Sequence, residues 1–127
     1  MFHIGIDIGN NGAAALLDKD GVVMQELRFN GATLHDKADT FREWRDLGDG
    51  EQVVAMVEKV ASSPQMGVRS AFTFGHCCGE IVGLLAALRI PYKTVAPGVW
   101  QKAMNCLTKG DKNITKAAAQ RLYPTLK

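Results

Sequence analysis

The chain has 127 residues, 46% hydrophobic and 22% charged, with 15 basic against 13 acidic side chains and a formal net charge of +2. This is the composition of one globular domain whose core needs no staples, and the three cysteines, adjacent Cys77 and Cys78 and distant Cys106, exclude a disulfide framework or a zinc spacing and fit a reducing cytoplasm. Every apolar stretch is interrupted by Gly, Pro or charge, which predicts no bilayer span and no membrane partner, and the first residues lack the features of a signal peptide.

Residues 2–8 predict a first strand, and Gly9-Asn10-Asn11-Gly12 a tight turn whose residues tolerate positive φ. Residues 13–17 return as a second strand. Residues 18–21 form another turn, in which Asp18 and Asp20 are turn formers, and 22–28 a third strand. A helix is expected over 33–47, with Asp36 or Asp39 near its start and Gly48 as its stop. Residues 53–58 lack polar alternation and read as a strand buried on both faces. After a loop at 62–67, residues 71–89 are mostly apolar, with Gly75, Gly79 and Gly83 forming a close-packing helix face. A short strand at 91–95 follows. Pro97 then opens a helix, and Asp111 stands near the start of a last one reaching about Leu122. The order β-β-β-α-β-α-β-α-α predicts a mixed five-stranded sheet flanked by helices, the order of the RNase H-like α/β fold.

Two apolar strands end on carboxylates. Asp7 closes the first and Glu58 the fourth. At the end of an apolar strand Asp7 is expected to be buried, which is costly for a carboxylate unless it is paired or bound to a metal. Together Asp7 and Glu58 could hold hard divalent cations. Two such ions about 4 Å apart activate a water and relieve charge on the leaving oxygen of a phosphodiester. The simpler alternative, two strands ending at the solvent boundary, suits one carboxylate better than two. Beyond Glu58 the only acids are Glu80 and Asp111, against ten bases, so the second half favours a polyanionic partner over a merely solvated face. Glu80 among apolar residues reads as a satisfied core acid, and His76 beside Cys77 and Cys78 as helix-packed with inert thiols. Trp100 reads as core, and Phe72 and Phe74 as either core or base-stacking residues.

The stretches Ile4-Gly5-Ile6-Asp7-Ile8-Gly9, Val57-Glu58-Lys59-Val60 and Phe72-Thr73-Phe74-Gly75 share order and spacing with one family. So do Ile90-Pro91-Tyr92, Val95-Ala96-Pro97, Trp100-Gln101-Lys102, Asp111-Lys112 and Tyr123-Pro124. In these motifs the chain resembles the RuvC-like Holliday junction resolvases, above all their compact phage-encoded branch, over nearly its whole length except residues 28–50. The resemblance implies magnesium-dependent cleavage of four-way junctions and other branched DNA by a homodimer, with two Mg²⁺ ions (Mn²⁺ as a substitute), in a bacterial or phage-infected cytoplasm. It implies Asp7 and Glu58 as catalytic metal ligands and Lys112 as the catalytic lysine near the scissile phosphate. Lys102, Lys112, Lys116, Arg69 and Phe74 would contact DNA.

Ile8 departs from the proline common in the family at that place. The family's last motif, a helix bearing one or two aspartates, follows the position of Tyr123-Pro124. Residues 1–127 are therefore expected to be a single RNase H-like nuclease domain without its C-terminal catalytic helix. Three alternatives stand beside this reading. One is a non-catalytic protein that binds DNA junctions. Another is a relative of the same fold acting on RNA. The third is an actin-like or sugar-kinase-like phosphate-binding domain, suggested by the Asp7–Gly12 turn but lacking a second glycine-rich loop.

Overall fold

The computed structural model describes residues 1–48, 52–58 and 64–96. Three strands come first: β1 (Phe2–Asp7), β2 (Ala13–Leu17) and β3 (Val23–Arg28). Helix α1 (Leu34–Leu47), strand β4 (Val53–Glu58), helix α2 (Val68–Ala87) and strand β5 (Tyr92–Val95) follow. The helices expected after Pro97 and at Asp111 lie outside the described residues.

The five strands form one sheet in the order β3-β2-β1-β4-β5. The meander is present as expected, β1 with β2 and β2 with β3 both antiparallel, while β4 pairs with β1 in parallel. The turns have the predicted chemistry. Gly9 and Gly21 take positive φ, and Asp18 Oδ1 accepts from the backbone N–H of Asp20 and of Val22, each at 2.9 Å.

Alternation along the strands sends one face to the core. Ile4 and Ile6 of β1, Ala14 and Leu16 of β2, and Val53, Ala55 and Val57 of β4 are buried together with Phe41 and Trp44 of α1 and Cys77, Ile81 and Leu85 of α2. Helix α1 starts at a capping box. Thr33 Oγ1 accepts from the Asp36 N–H at 3.0 Å, and an Asp36 carboxylate oxygen accepts from the Thr33 N–H at 2.9 Å. The Trp44 indole N–H reaches Gln25 Oε1 at 2.8 Å, tying α1 to the edge strand β3.

Several expectations change. Strand β4 is buried on one face only, because Met56, on the opposite face, is 38% exposed. Helix α2 begins three residues before 71 and ends two before 89, at a Schellman motif. There Ile90 N–H donates to Leu85 O at 2.9 Å and Arg89 N–H to Ala86 O at 3.2 Å, with Arg89 at φ 59°. Gly75, Gly79 and Gly83 are exposed, and an added Cβ at any of them would meet nothing within 4 Å among the described residues, so none of those residues packs on the expected face. Contrary to the sequence expectation, the 20 residues of α2 are long and apolar enough, by length and composition, to cross a membrane. The glycines counted as interruptions do not break the helix, whose Cys77, Ile81 and Leu85 are buried in the core.

Candidate functional site

The register between β1 and β4 pairs His3 with Val54, Gly5 with Met56 and Ile6 with Val57. One step further, the same offset sets Asp7 beside Glu58. Partners in adjacent strands share a face and lie about 4.8 Å apart, so the two carboxylates are neighbours on the face opposite Ile4, Ile6, Ala55 and Val57. Both stand at the C-terminal ends of central parallel strands. Asp7 is exposed and Glu58 half-buried, which corrects the expectation of a buried Asp7: at the last position of its strand, on the outward side of the pleat, the carboxylate meets solvent.

Hydrated, exposed oxygen donors suit magnesium, which keeps several of its waters and needs few protein carboxylates. Among the described residues no group of three His, Cys, Asp or Glu side chains comes together.

The turn that follows Asp7 is held tightly. Gly12 N–H donates to Gly9 O at 3.1 Å, and Phe29 N–H to Gly12 O at 2.9 Å. The row of neighbours then continues away from Glu58, from Asp7 to Ala13 of β2 and on to Arg28 of β3. Arg28 was not singled out from the sequence. The only available signal was its position in phase with Glu26 on an alternating edge strand.

Other expected site residues fall elsewhere. Arg69 is exposed in the first turn of α2, where it lines a concavity of about 520 Å³ with Gly9, Asn10, Ser70 and Phe74. Phe74 is half-buried against the core, whereas Phe72 is 77% exposed. Lys102, Lys112 and Lys116 lie outside the described residues, as does Trp100. His76 is not helix-packed: its side chain is exposed, and Nε2 lies 2.9 Å from Glu80. Glu80 is satisfied as expected, since it also pairs at 3.5 Å with Lys37, a buried lysine whose ammonium lies 5.1 Å from the centre of the Phe29 ring.

No family model matches the chain, and neither does any curated protein. Solved structures do. Thermus thermophilus RuvC matches all of this chain and 82% of its own length, at 12% identity and a TM-score of 0.59. RuvC from T. thermophilus in complex with a Holliday junction substrate matches all of this chain and 81% of its own, at 11% identity and a TM-score of 0.63. The fold is RNase H-like. At such identities the likeness is one of fold, and the chemistry has to be argued from the side chains on it.

Proposed function

We propose that this protein is a magnesium-dependent, structure-selective endonuclease that cleaves phosphodiesters in Holliday junctions and related branched DNA. The observation that carries this reading is the register neighbourhood of Asp7 and Glu58 at the ends of two central parallel strands. Bound there, Mg²⁺ would supply an activated water and charge relief at the leaving oxygen. Asp7 and Glu58 would hold it. Lys112 is assigned the point charge on the scissile phosphate, where negative charge grows in the transition state. Lys102, Lys116 and Arg69 are assigned backbone contacts, in keeping with ten bases against two acids after Glu58.

The fold shared with a RuvC captured on a junction supports a branched substrate, and the motif matches favour the compact phage-type branch. Phe72 is better exposed than Phe74 for stacking on an unpaired base at a branch point. A homodimer is part of the proposal. Val68 is exposed on α2 together with the Gly75-Gly79-Gly83 stripe, a surface that two helices could share at close approach. The setting would be a bacterial or phage-infected cytoplasm.

The test is nicking of a labelled synthetic four-way junction in Mg²⁺ or Mn²⁺. Wild type should cut symmetrically, and Asp7→Asn and Glu58→Gln should each lose cutting while still binding. Equal cutting by wild type and Asp7→Asn would sink the reading. Binding without cutting by wild type would make the protein a junction-binding module.

A further inference from the structure

Arg28 lies on the same lateral row as the carboxylate pair. Asp7 pairs with Ala13, and Ala13 pairs with Arg28. Residues directly paired across strands share a face. The other side of β3 is committed to the helices, since Leu27 packs against the core and Gln25 accepts the Trp44 indole N–H. Arg28 and Glu26 therefore share the Asp7 face. Two strand spacings separate Arg28 from Asp7, about 10 Å between backbones.

The ground between them is low. Ala13 and Ala15 fill the β2 positions, and Gly5 fills β1, where an added Cβ would meet nothing within 4 Å. At the Arg28 end lies a concavity of about 630 Å³, lined by Asn11, Gly12, Ala13, Glu26, Arg28 and Asn30. Its donors suit a phosphodiester. Arg28 offers a planar, permanently charged fork, and the Asn11 and Asn30 amides add N–H donors from the loops that precede β2 and follow β3, at the same end of that antiparallel pair. Glu26 sits on the neighbouring row with Ala15, so it bounds the concavity away from the turn and keeps an anion at the Arg28 end.

We propose that this concavity holds a second phosphodiester of the strand being cut, with Arg28 as a positioning residue that sets which phosphate reaches Asp7. The assignment rests on the endonuclease reading of Asp7 and Glu58. Successive phosphates of a strand lie farther apart than the axial rise of about 3.4 Å per nucleotide, because the backbone also winds around the axis, so a span of about 10 Å corresponds to a phosphate one or two nucleotides from the scissile one.

The experiment uses the full chain and a labelled four-way junction, with binding measured in Ca²⁺ over a salt series. Arg28→Ala should weaken binding roughly five- to tenfold and lower the slope of log K against log salt by about 1. A scan with single neutral methylphosphonate linkages should find one position, one or two nucleotides from the cut, that weakens wild type by the same factor and leaves Arg28→Ala unaffected. A residue that only supported the fold would not produce that non-additivity. Arg28→Lys, which keeps the charge, should retain the slope and covers the case in which the alanine variant does not fold. If wild type nicks the junction but Arg28→Ala keeps the full slope and the full response to every neutral linkage, this assignment alone falls. If wild type neither binds nor nicks a junction, the endonuclease reading falls and takes this one with it.

Discussion

A side chain on Gly12 would overlap the backbone carbonyl oxygen of Asp7. The same Cβ would also sit 3.1 Å from the backbone N of Gly9. Both obstacles are backbone, so no rotamer change can make room. The turn after β1 is closed so tightly that it fixes the residue carrying the carboxylate. Gly12→Ala should therefore destabilise the protein by roughly 2–3 kcal/mol, measured as a lowered urea midpoint at unchanged m. It should also depress nicking more than junction binding, because the displaced group is Asp7.

Magnesium affinity can be read without activity. A metal that binds only the folded state raises thermal stability by mass action. Millimolar Mg²⁺ should raise the Tm of wild type and leave that of Asp7→Asn and Glu58→Gln unchanged. An equal rise in all three would place the metal elsewhere.

The buried Lys37 depends on Glu80. Their side chains are only 10% and 19% exposed, at 3.5 Å. Glu80→Gln leaves a buried ammonium without its counter-charge and should cost about 1–3 kcal/mol. Lys37→Met keeps the stem packed and leaves Glu80 to His76, so its cost should stay below about 1.5 kcal/mol. Guanidinium unfolding of both variants checks the asymmetry.

The cap of α1 makes stability pH-dependent in a defined direction. The backbone N–H of Thr33, and then its hydroxyl, hold the Asp36 carboxyl below its ordinary value of 3.8. A carboxyl whose pKa is lower folded than unfolded stabilises the fold above its unfolded value, and the contribution disappears as pH falls through the folded value. The advantage of wild type over Asp36→Asn should therefore be constant above about pH 5 and shrink below 3.8. Thr33→Ala should cost about 1 kcal/mol at neutral pH. Thermal melts followed by circular dichroism at several pH values report both.

Arg89 occupies the left-handed position of the Schellman motif, at φ 59°. Glycine adopts that conformation without the Cβ penalty. Arg89→Gly should leave the fold intact and stabilise it by about 0.5–1 kcal/mol, visible as a raised denaturation midpoint.

Much of the fold was legible because its signals are local. Period-two apolar runs bounded by Gly-Asn-Asn-Gly and Asp-Lys-Asp-Gly announced the meander, and Thr33 to Gly48 announced α1. Errors arose where a residue's surroundings come from far along the chain. Gly75, Gly79 and Gly83 look like a packing face but carry no neighbour to pack against among the described residues, and His76 beside two cysteines faces solvent towards Glu80. Phe72 and Phe74 are two residues apart and chemically identical, and only the fold makes one exposed and the other half-buried.

The same division holds at the site. Alternation and turn chemistry act over a few residues, so they already show that Asp7 and Glu58 end apolar strands and that a glycine turn follows Asp7. That the two strand ends lie side by side comes from the pairing of β1 with β4. Side-chain period along a strand is two, so a slip of one residue between β1 and β4 would turn Glu58 to the opposite face from Asp7. That slip is excluded by burying Ile4 and Ile6 together with Ala55 and Val57 beneath α1 and α2, a constraint between residues some fifty positions apart. The same packing, passed on through β2, brings Arg28 onto the row of Asp7.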